Sequence, residues 1–132
     1  MTGDWLTREL TEPAEVIEAV EDVIAWGFPR DIEQYEIGLG SWFRMGRAVV
    51  WWYEPPHPVA PHAGIIHLCV NPEVRGRWPV RRWSVAAEVI AELMGFTLLV
   101  FWPMGERDKI LEYALRLGWR QEGERLVRHL GG

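Results

Sequence analysis

The run Phe96-Thr-Leu-Leu-Val-Phe-Trp102, set between Gly95 and Pro103, constrains this chain most. It lacks the alternation of a half-exposed strand. A nearly continuous apolar segment of this length is expected of a central strand buried on both faces. Such a strand needs cover on both sides, which a layered α/β arrangement supplies. Its neighbours in sequence are helical. Val80 to Met94 places Trp83, Ala87, Ile90 and Met94 on one face and ends at Gly95. Glu106 to Leu117 turns Ile110, Leu111, Ala114 and Leu115 inward and ends at Gly118.

The preceding half fits the same architecture. Pro13 to Trp26 reads as an amphipathic helix, with Val16, Ile17, Val20, Val23 and Ile24 opposite an acidic, solvated face. Asp31 to Tyr35 adds a short second helix. Gly46 to Glu54 is rich in β-branched and aromatic residues and reads as a strand. Pro55, Pro56, Pro58 and Pro61 then enforce a loop, because proline donates no ladder hydrogen bond and restricts its predecessor. Ala63 to Val70 is a second strand, stopping at Asn71-Pro72. Two short strand-like pieces flank Gly123 in the tail from Trp119 to Leu130. Strands followed by helices at this spacing imply crossovers and a mixed sheet covered on both faces. With 132 residues and no repeat or dividing linker, residues 1–132 are expected to form one domain.

The phrase Val70-Asn-Pro-Glu-Val-Arg-Gly76, which carries a strand into a helix, resembles the central strand and loop of the GNAT (acyl-CoA N-acyltransferase) superfamily. Val70, Pro72, Glu73, Arg75 and Gly76 match position by position. Downstream, Leu117-Gly118-Trp119 is similar to the family's Leu-Gly-Phe ending. The matching regions run from Gly64 to Glu122 and cover about half the chain. The resemblance implies a single GNAT-like α/β domain whose two parallel central strands, Ala63–Val70 and Phe96–Trp102, splay apart. Acetyl-CoA or another acyl-CoA would lie in that notch, on the backbone of Leu68, Cys69 and Val70. Arg75, Gly76 and Arg77 would hold its pyrophosphate.

The loop from Val74 to Trp83 departs from the family pattern. Where the family has further small residues, this chain has Trp78 and Val80 with Pro79 between them. An indole stands where close approach is needed, and Pro79 removes a backbone donor. Two readings follow. Arg75, Arg77, Arg81 and Arg82 replace the lost amides with guanidinium groups suited to phosphates, or the site has decayed and these arginines form a solvated or partner-facing surface. The basic and aromatic alternation from Arg75 to Trp83 also has the make-up of a single-stranded nucleic-acid surface. The net charge of −5 argues against that use.

An attacking amine must lose a proton, and the candidates for the base are His67, on the matched strand, and Glu54, at the end of the strand before it. A strand histidine is also a common hydrogen-bonded core residue. In the family a tyrosine protonates the leaving thiolate. The matching position here is Ala114, with Tyr113 one step away and turned by about 100° on a helix. His57 and His62 flank the proline loop without ligands at metal spacing, so no metal site is expected. Of the nine tryptophans, Trp51, Trp52 and Trp102 are placed in strands and Trp83 and Trp119 at helix positions. Trp5, Trp42 and Trp78 fall in loops.

Two functions are therefore expected of such a chain. One is a divergent acyl-CoA-dependent N-acyltransferase acting on an amine. The other is a non-catalytic GNAT-like module used in protein interaction or assembly, as the resemblance to a phage-encoded branch linked to virions implies. The lone Cys69, the absence of a signal-like start and the absence of a membrane-length apolar run lead to an expected cytoplasmic location, or a virion for the phage branch. Neither reading fixes an oligomeric state.

Overall fold

The computed structural model describes residues 6–104 and 107–131. The chain runs β1 (Thr7–Leu10), α1 (Pro13–Ala25), α2 (Gln34–Leu39), β2 (Ser41–Met45), β3 (Val49–Tyr53), β4 (Ala63–Val70), a 3-10 turn (Pro72–Val74), α3 (Val80–Leu93), β5 (Leu98–Phe101), α4 (Arg107–Arg116), β6 (Arg120–Glu122) and β7 (Arg125–His129). The seven strands of the described residues form one sheet in the order β1-β2-β3-β4-β5-β7-β6. Only the β4–β5 pair is parallel. This is the single α/β domain with a mixed central sheet expected from the alternation of elements.

Side-chain alternation along β3 and β4 assigns each residue to a face. Trp51, Tyr53 and Ile66 pack with Trp83, Ala87 and Ala91 of α3 and Ala114 of α4. Val50, Trp52 and Cys69 pack on the opposite side with Ala19 and Val23 of α1. The sheet is thus covered by α1 and α2 on one face and by α3 and α4 on the other. Burying β3 on both faces explains its run of large apolar residues: Trp51, Trp52 and Tyr53 are fully enclosed.

The feature that opens the sheet is the short contact between β4 and β5. Their register pairs Ala63 with Leu98, Gly64 with Leu99 and Ile65 with Val100, and stops there. β4 continues from Ile66 to Val70 with β3 on one side only. Gly64 is required at the point of closest approach, since a β-carbon there would lie 2.7 Å from the Phe96 ring.

Several sequence expectations need correction. The second helix spans Gln34–Leu39 rather than Asp31 to Tyr35, because the chain through Phe28 to Glu33 is held by Arg30 in an irregular conformation. Trp42 is not in a loop: it is buried in β2 and stacks on Trp52 with centroids 4.4 Å apart. β5 is shorter than the apolar run, so Trp102 lies past its end and is 40% exposed. Trp119 follows α4 instead of belonging to it and is buried. Trp5 lies outside the described residues.

Candidate active site

Where β5 leaves β4, a cavity of about 580 Å³ passes through the sheet. Leu68 and Val70 reach it on the face of α3 and α4, and His67 and Cys69 on the face of α1. Of the residues singled out in the sequence, His67, Leu68, Cys69, Val70, Arg75, Gly76 and Tyr113 all line this cavity. Arg77 and Glu54 are not in its wall.

Glu54 stands directly behind His67. Its Oε2 is 2.5 Å from His67 Nε2, while its Oε1 accepts a hydrogen bond from the Tyr35 hydroxyl at 3.1 Å. The two alternative bases are therefore one hydrogen-bonded pair. A carboxylate can only accept, so it fixes Nε2 as the protonated nitrogen and leaves Nδ1 as the acceptor. This is the orienting logic of a histidine–carboxylate couple.

A second pair, which the sequence did not reveal, supports the first. Glu36 of α2 is fully buried. Arg30 grips its carboxylate through two bonds of 2.9 and 2.6 Å, Trp52 Nε1 donates at 3.1 Å and the Glu33 N–H at 2.7 Å. Burial alone pushes the Glu36 carboxyl up. The Arg30 bonds, followed by those from Glu33 and Trp52, overcome this and bring it down to about 2. Arg30 also lies 3.2 and 3.4 Å from the two His67 ring nitrogens. One ligand atom each from Glu36, Glu54 and His67 falls within 4.8 Å of the others, a spacing that a metal ion tolerates. The Arg30 guanidinium already satisfies this acidic cluster.

On the opposite face, Tyr113 of α4 lines the cavity and is 54% exposed, while Ala114, at the position matching the family tyrosine, is buried in the core. Cys69 is enclosed, and burial pushes its thiol up to about 11.

The loop into α3 begins with Gly76 at φ +83, a left-handed conformation that disfavours side chains. Beyond it the backbone is occupied with itself. The Arg77 N–H donates to Val74 C=O at 2.9 Å and the Val80 N–H to Trp78 C=O at 2.9 Å, and Pro79 has no N–H. The Arg77 guanidinium turns back onto the Glu73 carbonyl. Arg75 reaches the Trp26 and Val70 carbonyls at 3.4 and 3.5 Å. Trp78 forms part of the cavity wall, with its ring 5.9 Å from that of Trp83.

The same arrangement of strands is found in solved acetyltransferases. A GNAT-family acetyltransferase from Streptococcus pneumoniae superposes with a TM-score of 0.74 at 11% identity, over 95% of this chain and 99% of that one. The fold is that of the GNAT acetyltransferases. The dodecameric spermidine N-acetyltransferase from Vibrio cholerae gives 0.72 at 11% identity, covering 94% and 92%. The GNAT domain of S. lividans PAT gives 0.70 at 11%, covering 94% and 89%. No protein-family model matches the sequence. No curated protein is significantly similar to it. Among the described residues of this GNAT-fold chain, no helix is long and apolar enough to cross a membrane.

Proposed function

We propose that this GNAT-fold protein transfers an acyl group from a pantetheine thioester to an amine. The observation that carries this reading is the His67–Glu54 pair, whose histidine lines the cavity that opens between β4 and β5 with the carboxylate behind it. The β4 backbone from Ile66 to Val70 has no β5 partner and offers an extended edge to the amides of a pantetheine arm. The bound thioester supplies the electrophilic carbonyl.

His67 receives the proton from the amine, and Glu54 stabilises the imidazolium that results. Tyr113, on the other wall, returns a proton to the departing sulfur. Acyl transfer is balanced in this way: a C–N bond forms, the C–S bond breaks, His67 takes the amine proton, Tyr113 gives one to the thiolate, and proton exchange with solvent then restores both side chains. An amine acceptor accords with the acetyltransferases that share the fold, and a cytoplasmic location with such chemistry.

A second reading, a GNAT-like module kept for protein interaction or assembly (virion-associated in the phage-encoded case), draws on the loop. The Arg77 and Val80 amides are committed to the chain itself. The two readings separate in one experiment, thiol release from acetyl-CoA in the presence of amines, run alongside calorimetric titration with acetyl-CoA. Binding together with amine-dependent thiol release establishes the transferase. No heat and no release at millimolar ligand refutes it and leaves the assembly role.

A further inference from the structure

The outer face of α3 is unlike that of an ordinary surface helix. At the helical turn per residue, Arg82, Val85, Val89, Glu92 and Leu93 fall within an arc of about 100°. They lie opposite Trp83, Ala87 and Ala91, which enter the core. Val85 is 64%, Val89 50% and Leu93 82% exposed, so this apolar row stands uncovered among the described residues. A solvated helix face is normally polar. Here the exposed charges stand only at the two ends, Arg81 and Arg82 in the first turn and Glu92 in the last. Neither arginine has an ion-pair partner among the described residues, and Glu92 accepts only the Gly131 N–H, at 2.9 Å. The remaining charge of the helix, Glu88, is held by Ser84 and Arg128.

A row that is basic at one end and acidic at the other is complementary to its own reverse. Arg82 precedes Val85 by three residues, and Glu92 follows Val89 by three. When two copies of α3 lie antiparallel about a two-fold axis midway between Val85 and Val89, Val85 meets Val89 of the partner subunit. Arg82 then falls level with Glu92 of the partner subunit, and Arg81 with Leu93 of the partner subunit, which its aliphatic stem can cover. The symmetry makes each contact twice. The exposed apolar residues of α1 do not offer this match. Ile17 and Ile24 lie among Glu18 and Glu21, an acidic face that repels its own copy.

We infer that α3 is a self-association surface, on which two copies of this chain pair antiparallel with Val85, Val89 and Leu93 at the centre and an Arg82–Glu92 ion pair at each end. The apolar row supplies the attraction. The charge pairs at the rim set direction and register more than affinity. One helix face offers less than the roughly 800 Å² per partner of a standard interface, so the dimer is weak and concentration-dependent. This pairing goes beyond acyl transfer and does not rest on it.

The experiment is sedimentation velocity of the full chain from about 5 µM to about 500 µM, a span that brackets weak association. The expected result is a mass that rises from one chain toward two. Val89→Glu puts a charge at the centre of the row and should weaken the association by at least about tenfold. Arg82→Glu and Glu92→Arg, each alone, set like charges against one another and should do the same. Mixed in equal amounts, these two variants should recombine, because both end contacts of the mixed pair then join opposite charges. All three positions are exposed, so circular dichroism and Tm of the variants should match the wild type at about 5 µM. A wild-type chain that is monomeric at about 500 µM overturns the inference. A dimer indifferent to Val89→Glu lies on another face and overturns it as well. Failure of the two charge variants to recombine overturns the antiparallel pairing. None of these outcomes touches acyl transfer, which thiol release reads separately.

Discussion

His67 of β4 and Glu54, the residue after β3, share a 2.5 Å hydrogen bond, and only the histidine reaches the cavity wall. In the acyl-transfer reading, the imidazole exchanges the proton and the carboxylate acts through it. His67→Gln is expected to slow amine-dependent thiol release by about a hundredfold or more, as loss of a general base does. Glu54→Gln keeps a hydrogen-bonding partner but loses the charge, so its loss should be smaller, about tenfold. Equal rates in all three proteins would remove this pair from the mechanism.

The Arg30–Glu36 pair predicts a specific pH dependence. Glu36 is held at about 2 in the folded protein, below the 4.5 of an unperturbed carboxyl. A depressed folded value means that the unfolded chain binds the proton more readily. The stabilisation is therefore complete above about pH 4.5 and is lost as pH falls toward 2. It should amount to roughly 3 kcal/mol. Urea titrations between pH 6 and pH 2.5 will show this loss in the wild type and a much flatter profile in Glu36→Gln.

Removing the half-buried cation from the enclosed Glu36 carboxylate should be costly at neutral pH. Arg30→Met leaves the Glu36 carboxylate enclosed without its cation, and a loss of about 3–5 kcal/mol is expected. The exposed Arg116–Glu112 pair on α4 provides the contrast. Breaking it with Arg116→Gln should change stability by less than about 0.5 kcal/mol. Thermal denaturation of the two variants tests both figures.

The parts of the structure that were legible in the sequence are those written in local pattern. β3, β4 and α3 follow from β-branched runs and helical spacing, and the Pro72 to Gly76 phrase marks the strand-to-helix joint. β2 was not legible. Its five residues Ser41–Met45 include Arg44, whose charge is buried through long-range pairing with Asp22 at 2.8 Å together with a bond to the Gly46 carbonyl. The Glu36 network was hidden for the same reason, since Arg30 and Trp52 come from other parts of the chain. One local signal was present: Glu33-Gln-Tyr-Glu36 has capping-box spacing, and the Glu36 carboxylate does accept the Glu33 N–H. The union of His67 with Glu54 required the β3–β4 register, which pairs Trp52 with His67 and which sequence spacing does not reveal.

Gly64 should tolerate no larger residue. In Gly64→Ala the new methyl would press on the Phe96 ring at the position where β4 pairs with Leu99 of β5. Overpacking of this kind costs about 1–3 kcal/mol. Combining it with Phe96→Leu, which makes room, should recover part of the loss. A double-mutant cycle in urea would return a favourable coupling if this contact is the cause, and simple additivity if it is not.

Cys69 gives the last test, because it reads the closure of the α1 face independently of any activity. The thiol is 7% exposed and burial raises it to about 11, even though Arg75 pulls it the other way. Only the thiolate reacts, so at pH 8 about one molecule in a thousand carries the reactive form, and access through the cavity wall is restricted as well. Iodoacetamide should therefore label the native protein at least about a hundredfold more slowly than the urea-unfolded chain. Pantetheine bound along β4 should slow the native reaction further, since Cys69 shares the cavity with Leu68 and Val70. Rapid native labelling would mean that α1 does not seal this face of the sheet, and the enclosed surroundings assigned to His67 would fall with it.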